Sequence, residues 1–222
     1  KTKEEWKQVF TDRQAYWKHD GNPNSPHVKL RSGLHSNGFF YAGLVVADEV
    51  LLREIAIELT QKLYTENMGT FYSTSTFVGP QTGATKLTKA LMIEAVKKSG
   101  KPYRFASPAK RVVGTHRSMV FDPAEIAYIR RRNVTLCEDT ISTGGSLLLV
   151  QNALLMFEAR IQSCVLAIVN RSGQEKILDK KVIALINEHM PQWEEKDCPL
   201  CKAGSKVIAN PKDHWDELTL SR

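Results

Sequence analysis

Cysteine is scarce in this chain, four among 222 residues. That excludes a fold built on disulfides and fits a reducing, cytosolic setting. No apolar run reaches the length needed to cross a bilayer. No secretory leader, internal repeat or low-complexity tract is present. The chain begins at Lys1 rather than methionine, so a few N-terminal residues are expected to have been removed. Negative charge is in deficit, 24 acidic against 31 basic residues, for a net charge of +7. The basic residues are nevertheless dispersed, with short clusters only at Lys110–Arg111 and Arg130–Arg132 and no aromatic-interleaved stripe. That pattern argues for an anionic metabolite as partner and against nucleic acid or a membrane.

What is present is ordinary for a soluble enzyme, 42% hydrophobic and 25% charged, at a length that suits one domain with a substantial core. Cys137 and Cys164 lie in apolar runs and read as buried, reduced thiols. Apolar periodicity predicts helices over Lys3–Trp17, Ala47–Leu63, Ala84–Gly100 and Ser146–Arg160. The segment His19–His27 is rich in turn residues. Short apolar runs predict strands at Ser75–Pro80, Asn133–Asp139, Ser163–Arg171 and Lys181–Ile186. Residues 101–121 carry little periodicity. Strands alternating with helices give an α/β architecture with a mostly parallel sheet.

The stretch "VTLCEDTISTGGS" (134–146) carries the chemistry. A buried strand ends on two adjacent acids, Glu138 and Asp139, and a hydroxyl- and glycine-rich loop then leads into a helix. In parallel sheets, ligands bind beyond the carboxyl ends of the strands. A helix N-terminus offers free backbone N–H groups and partial positive charge, which suit a phosphate. Gly144 and Gly145 let the backbone close on the anion, and Thr140, Ser142, Thr143 and Ser146 can add hydroxyl donors. The two carboxylates would repel that phosphate, so they must face another part of the ligand, and a sugar diol suits them. The loop therefore asks for a sugar phosphate. It is neither a Walker loop, since no lysine follows the glycines, nor GxGxxG. The plainer reading, a generic strand–turn–helix with surface acids, fits the motif context less well.

These residues resemble the phosphoribosyl pyrophosphate signature of the type I phosphoribosyltransferases. A second stretch, "PHVKLRSGLHSNGFFYAG" (26–43), is similar to the N-terminal substrate segment of the orotate phosphoribosyltransferases. His27, Leu30, Ser32, Gly33, His35 and Ser36 match, with Phe39 and Phe40 as the aromatic pair. A third, "IVNRSG", puts Arg171 where that family has an arginine near the orotate carboxylate. The resemblance implies one phosphoribosyltransferase domain over residues 1–222, with a hood and substrate segment at 1–45, a core at 46–187 and a C-terminal extension at 188–222. It implies a five-stranded parallel sheet, a homodimer, Mg²⁺, and transfer from phosphoribosyl pyrophosphate to orotate in pyrimidine synthesis. Glu138, Asp139 and the loop through Ser146 would hold the phosphoribosyl group, with Asp139 as a possible Mg²⁺ ligand and Arg31 touching substrate. Phe39, Phe40, Ser142 and Arg171 would meet orotate. Lys110, Arg111, His116 and Arg117 stand for the family's mobile basic loop, though not at its spacing. "VGPQTGATKL" (78–87) resembles the pyrophosphate-side loop. The plainer readings are Phe39 and Phe40 as hood core, Arg171 as a strand-end surface charge, His116 and Arg117 as solvated loop, and His35 as a structural hydrogen-bond donor. A purine-specific or other-base transferase, and a non-catalytic nucleotide- or RNA-binding regulator on the same fold, are the alternatives.

Cys198 and Cys201, in "DCPLC", have the spacing of zinc ligands, but zinc takes four and no second CxxC exists. His189 and His214 are nearby in sequence, so His214 and one further group could complete the set, as could a second copy across a dimer. Half a motif favours a turn with reduced thiols.

Overall fold

In the computed structural model, which describes residues 1–219, the chain opens with helix α1 (Lys3–Asp12), closed at its start by a reciprocal capping box between Thr2 and Glu5. Strands β1 (Tyr16–Lys18), β2 (His27–Lys29), β3 (His35–Ser36) and β4 (Gly38–Phe40) follow, then helices α2 (Ala42–Val46), α3 (Glu49–Glu66) and α4 (Met68–Ser73). Strand β5 (Thr76–Val78) leads through a glycine turn into α5 (Thr85–Ser99), and Gly100 ends that helix at φ +72°. Next come β6 (Arg104–Ala106), the hairpin β7 (Ala109–Val113) and β8 (His116–Val120), and the short α6 (Ile126–Ile129). Strand β9 (Asn133–Ile141), helix α7 (Gly145–Leu155) and strand β10 (Arg160–Asn170) form the central unit. The chain finishes with β11 (Lys176–Ile177), β12 (Lys180–Asn187), β13 (Gln192–Trp193), α8 (Pro199–Lys202), β14 (Val207–Ala209) and α9 (Trp215–Thr219).

The main sheet runs β11-β12-β10-β9-β5-β6. Its last five strands are parallel, and β11 adds a two-residue antiparallel edge to the expected five. Strand alternation sends side chains to opposite faces. On β12, Ile183 and Leu185 join the core under α1, α3 and α5, while Val182 and Ala184 join a second core under α7. Both faces are covered, which is why the strands read as continuous apolar runs. Cys137 and Cys164 are free and buried in the first core, as expected, and burial pushes the Cys164 thiol up to about 12.

Three element boundaries differ from the periodicity. The first helix stops at Asp12 because the chain reverses through Gln14 at φ +50° to start β1, which pairs with β4. The helix predicted to reach Arg160 stops at Leu155. Glu158 turns at φ +55°, and Arg160 is already paired with Asn133. The featureless 101–121 region contains a sheet strand and an exposed hairpin.

A second sheet, β13-β3-β2-β14, draws its middle strands from the N-terminal segment and its outer strands from the C-terminal one. Trp17, Val28, Leu30, Ile208, Trp215 and Leu218 pack beneath it with Phe39 and Tyr41. The C-terminal segment thus supplies both outer strands of this second sheet.

Candidate active site

The site is assembled where β9 and β10 end side by side. Glu138 is buried at 7% exposure and Asp139 is half-buried. The Asp139 backbone N–H donates to Glu138 Oε1 at 3.1 Å, and the Thr140 N–H donates to Asp139 Oδ1 at 2.6 Å. Burial, then the neighbouring Asp139 carboxylate, push Glu138 well above the ordinary glutamate range, and the nearby Lys212 charge works against them. Asp139 is braced by the glycine turn after β5: a Cβ on Gly83 would stand 2.5 Å from Asp139 Oδ2. The Thr140 hydroxyl is buried and has no partner among the described residues.

The loop then exposes Thr143, Gly145 and Ser146 and half-buries Ser142. Gly144 caps α7 at φ +78°, and no side chain caps the helix. Its first backbone N–H groups therefore remain available to an anion, beginning six residues after Asp139. Gly144 also has no room for a side chain, since a Cβ would lie 2.7 Å from Ile177 Cγ2. Gly144→Ala is accordingly expected to destabilise the protein by about 1–3 kcal/mol and to weaken binding of an anion at the start of α7, read by thermal melts and phosphate titration.

Arg171 follows β10, and its backbone N–H donates to Ile141 O at the end of β9, 2.9 Å away. Its guanidinium is buried at 2% exposure. Nη2 donates to Ser36 Oγ at 2.6 Å, Ser36 in turn donates to Pro191 O, and Nε has no partner among the described residues. Burial lowers Arg171 to about 10, and among the described residues no carboxylate pairs with it. The surface-charge reading of this arginine is therefore overturned: it is a buried cation that lacks an anion.

The other predicted residues divide. Phe40 is core, packed edge-on to Phe10 at 5.3 Å and tilted against Tyr16 at 4.7 Å, because alternation along β4 turns it inward. Phe39, on the opposite side, is half-buried against Trp215 at 5.8 Å. Arg31 is exposed in the β2–β3 turn. Lys110, Arg111, His116 and Arg117 are exposed on the β7–β8 hairpin, and among the described residues their side chains make no hydrogen bond or ion pair. His214 is exposed and bonded to Glu217 at 2.8 Å, so it does not join Cys198 and Cys201.

Lys212 is the residue the sequence reading missed. It sits in the C-terminal extension, its ammonium lies 5.2 Å from the centre of the Tyr41 ring, and its charge reaches Glu138. Nothing in the pattern around it signals a site. A cavity of about 650 Å³, lined among others by Tyr72, Lys101, Arg104, Tyr128 and Arg132, opens at the amino ends of β5 and β6. That is the wrong end of the sheet for a parallel α/β site.

Solved structures with this arrangement include the orotate phosphoribosyltransferase from Aeropyrum pernix, with a TM-score of 0.56 and 18% identity over 81% of this chain and 92% of that one. The adenine phosphoribosyltransferase from Trypanosoma brucei superposes with a TM-score of 0.54 and 14% identity over 95% and 91%. This is the type I phosphoribosyltransferase fold. The fold alone does not choose the base, since it carries both. In sequence this chain is similar to the orotate phosphoribosyltransferase of Chlorobaculum parvum, 28% identical over 196 residues, 88% of this chain and 92% of that one. No family model matches the chain.

The charge on Glu138 has a measurable consequence. A glutamate raised above its unfolded value stabilises the fold at pH below about 4.5, and that contribution is lost as pH rises through the folded value. In ligand-free protein, Glu138→Gln is expected to match the wild type at low pH and to melt higher at neutral and alkaline pH. Thermal melts across that range test this, and parallel curves would contradict it.

Proposed function

We propose that the protein transfers the phosphoribosyl group of phosphoribosyl pyrophosphate to orotate, giving orotidine 5′-monophosphate and pyrophosphate, as a cytoplasmic homodimer in pyrimidine synthesis. The observation that carries the choice of base is Arg171. A buried guanidinium without an acid partner needs an anion to complete it, and its fork matches a carboxylate. Orotate carries a carboxylate and the purine bases do not. The sequence similarity to proteins named for orotate supports the same choice.

The roles follow from position. The N-terminus of α7, with Ser142, Thr143, Gly145 and Ser146, receives the 5′-phosphate. Glu138 and Asp139 accept hydrogen bonds from the ribose hydroxyls and face the anomeric carbon, where positive charge grows as the bond to pyrophosphate breaks and the bond to the base forms. The pair of adjacent carboxylates, with an orphaned Thr140 hydroxyl beside it, fits a hard divalent cation. Mg²⁺ would be held by Asp139 and by substrate oxygens, where it neutralises charge on the leaving group. The exposed hairpin, with Lys110, Arg111, His116 and Arg117 unpaired, is suited to cover the pyrophosphate of a neighbouring subunit, and Arg31 to approach the donor from the hood.

Incubation with phosphoribosyl pyrophosphate, Mg²⁺ and a panel of bases tests this reading. Pyrophosphate release with orotate alone is expected. Release with a purine, or with no base in the panel, would overturn it.

A further inference from the structure

Cys198 and Cys201 meet two histidines from the other end of the chain. His27 lies on β2, His35 on β3, Cys198 immediately before α8 and Cys201 within it. One donor atom from each lies within 4.8 Å of the other three. His27 Nε2 stands 3.1 Å from His35 Nδ1, 3.4 Å from Cys201 Sγ and 3.6 Å from Cys198 Sγ, and His35 Nδ1 stands 3.1 Å from Cys201 Sγ. A tetrahedral ion with Zn–N near 2.0 Å and Zn–S near 2.3 Å separates its ligand atoms by about 3.3–3.8 Å. The measured edges fall in or just below that span.

The hydrogen bonds behind the rings turn the right atoms inward. Ser205 Oγ donates its proton to Ser25 O at 2.7 Å, so it can only accept from His27 Nδ1, 2.8 Å away. That puts the His27 proton on Nδ1 and a bare lone pair on Nε2, facing the cluster. On the other ring, His35 Nε2 is buried, has no hydrogen-bond partner among the described residues, and lies 3.9 Å from Glu195 Oε2. The carboxylate favours the proton on that nitrogen, leaving Nδ1 bare as well. Two imidazole lone pairs thus point at each other across 3.1 Å with two sulfurs beside them, an arrangement that a cation at the centre stabilises. Both rings and Cys198 are fully buried.

We propose that His27, His35, Cys198 and Cys201 bind a structural zinc ion. Two thiolates and two imidazoles are a donor set that selects zinc over magnesium or calcium, and four protein ligands leave no open position for catalysis. The ion fastens the C-terminal extension to the β2–β3 hairpin, joining ligands 163 residues or more apart in sequence, as the separation of His35 from Cys198 shows. Ser36, which accepts from Arg171, is the next residue after His35. On the reading of Arg171 given above, the ion also steadies the base site.

The test is metal content and spectrum, which do not depend on the transferase reading. Untagged protein from zinc-supplemented culture, after gel filtration, is expected to hold about one zinc per chain by mass spectrometry. Cys201→Ser is expected to lose the ion while circular dichroism shows the α/β core intact, and His214→Ala is expected to keep it. Cobalt(II) added to metal-stripped wild-type protein should give the intense visible bands of a tetrahedral thiolate site, displaced by one equivalent of zinc, a readout that survives if Cys201→Ser fails to fold. Wild-type protein without zinc, cobalt spectra of an octahedral site, or unchanged zinc in Cys201→Ser would overturn the proposal.

Discussion

Asp139→Asn is expected to lower turnover by roughly a hundredfold or more, the cost of removing one charge aimed at the transition state, with melting and circular dichroism close to wild type. The substitution keeps shape and an oxygen that can accept from the Thr140 N–H, a contact now 2.6 Å long, so the loop should hold. It removes the carboxylate proposed to face the sugar. It also removes the like charge that, after burial, holds Glu138 up. The pH dependence of whatever activity remains should therefore change, because Glu138 ionises more readily beside an amide. Steady-state rates and a pH profile on one preparation read both effects. Unchanged turnover would remove the acid pair from the mechanism.

Arg171→Ala is expected to raise the KM for orotate by roughly thirtyfold or more, which corresponds to about 2 kcal/mol for losing one side of a buried charged pair, and to leave the KM for the phosphoribosyl donor nearly unchanged. The ligand-free protein should not lose the stability that a truncated core side chain of this size would cost. Its guanidinium is buried without an acid, and relief from an uncompensated charge offsets the lost packing. Arg171→Lys should rescue little, because a point charge cannot make the forked contact. Equal effects on both substrates would remove the arginine from the base site, and a large drop in melting temperature would give it a structural role instead.

The parts of this molecule that were legible in sequence share a cause. Strands such as β9 and β10 are buried on both faces, so their apolar runs stand out, and α5 is marked at its end by Gly100. The acid pair and its loop are contiguous, so their chemistry can be read in a line. Arg171 showed only as a motif match, since burial and a missing partner are properties of three dimensions. Phe39 and Phe40 are adjacent but face opposite ways, and the register of β4 decides which is core. The hood was opaque for a different reason. Its sheet interleaves both ends of the chain, so Lys212 near Glu138, and the histidines opposite Cys198 and Cys201, belong to no local pattern. His189 and His214 were the nearer histidines in sequence, and tertiary pairing, not proximity along the chain, chose His27 and His35.

The central claim is that one pocket, at the joined carboxyl ends of β9 and β10, holds the phosphoribosyl group. A crystal structure of the protein with ribose 5-phosphate tests it most directly. The account predicts the phosphate on the backbone N–H groups at the start of α7 and the ribose hydroxyls against Glu138 and Asp139. A sugar phosphate bound elsewhere, including the cavity at the opposite end of the sheet, would contradict it.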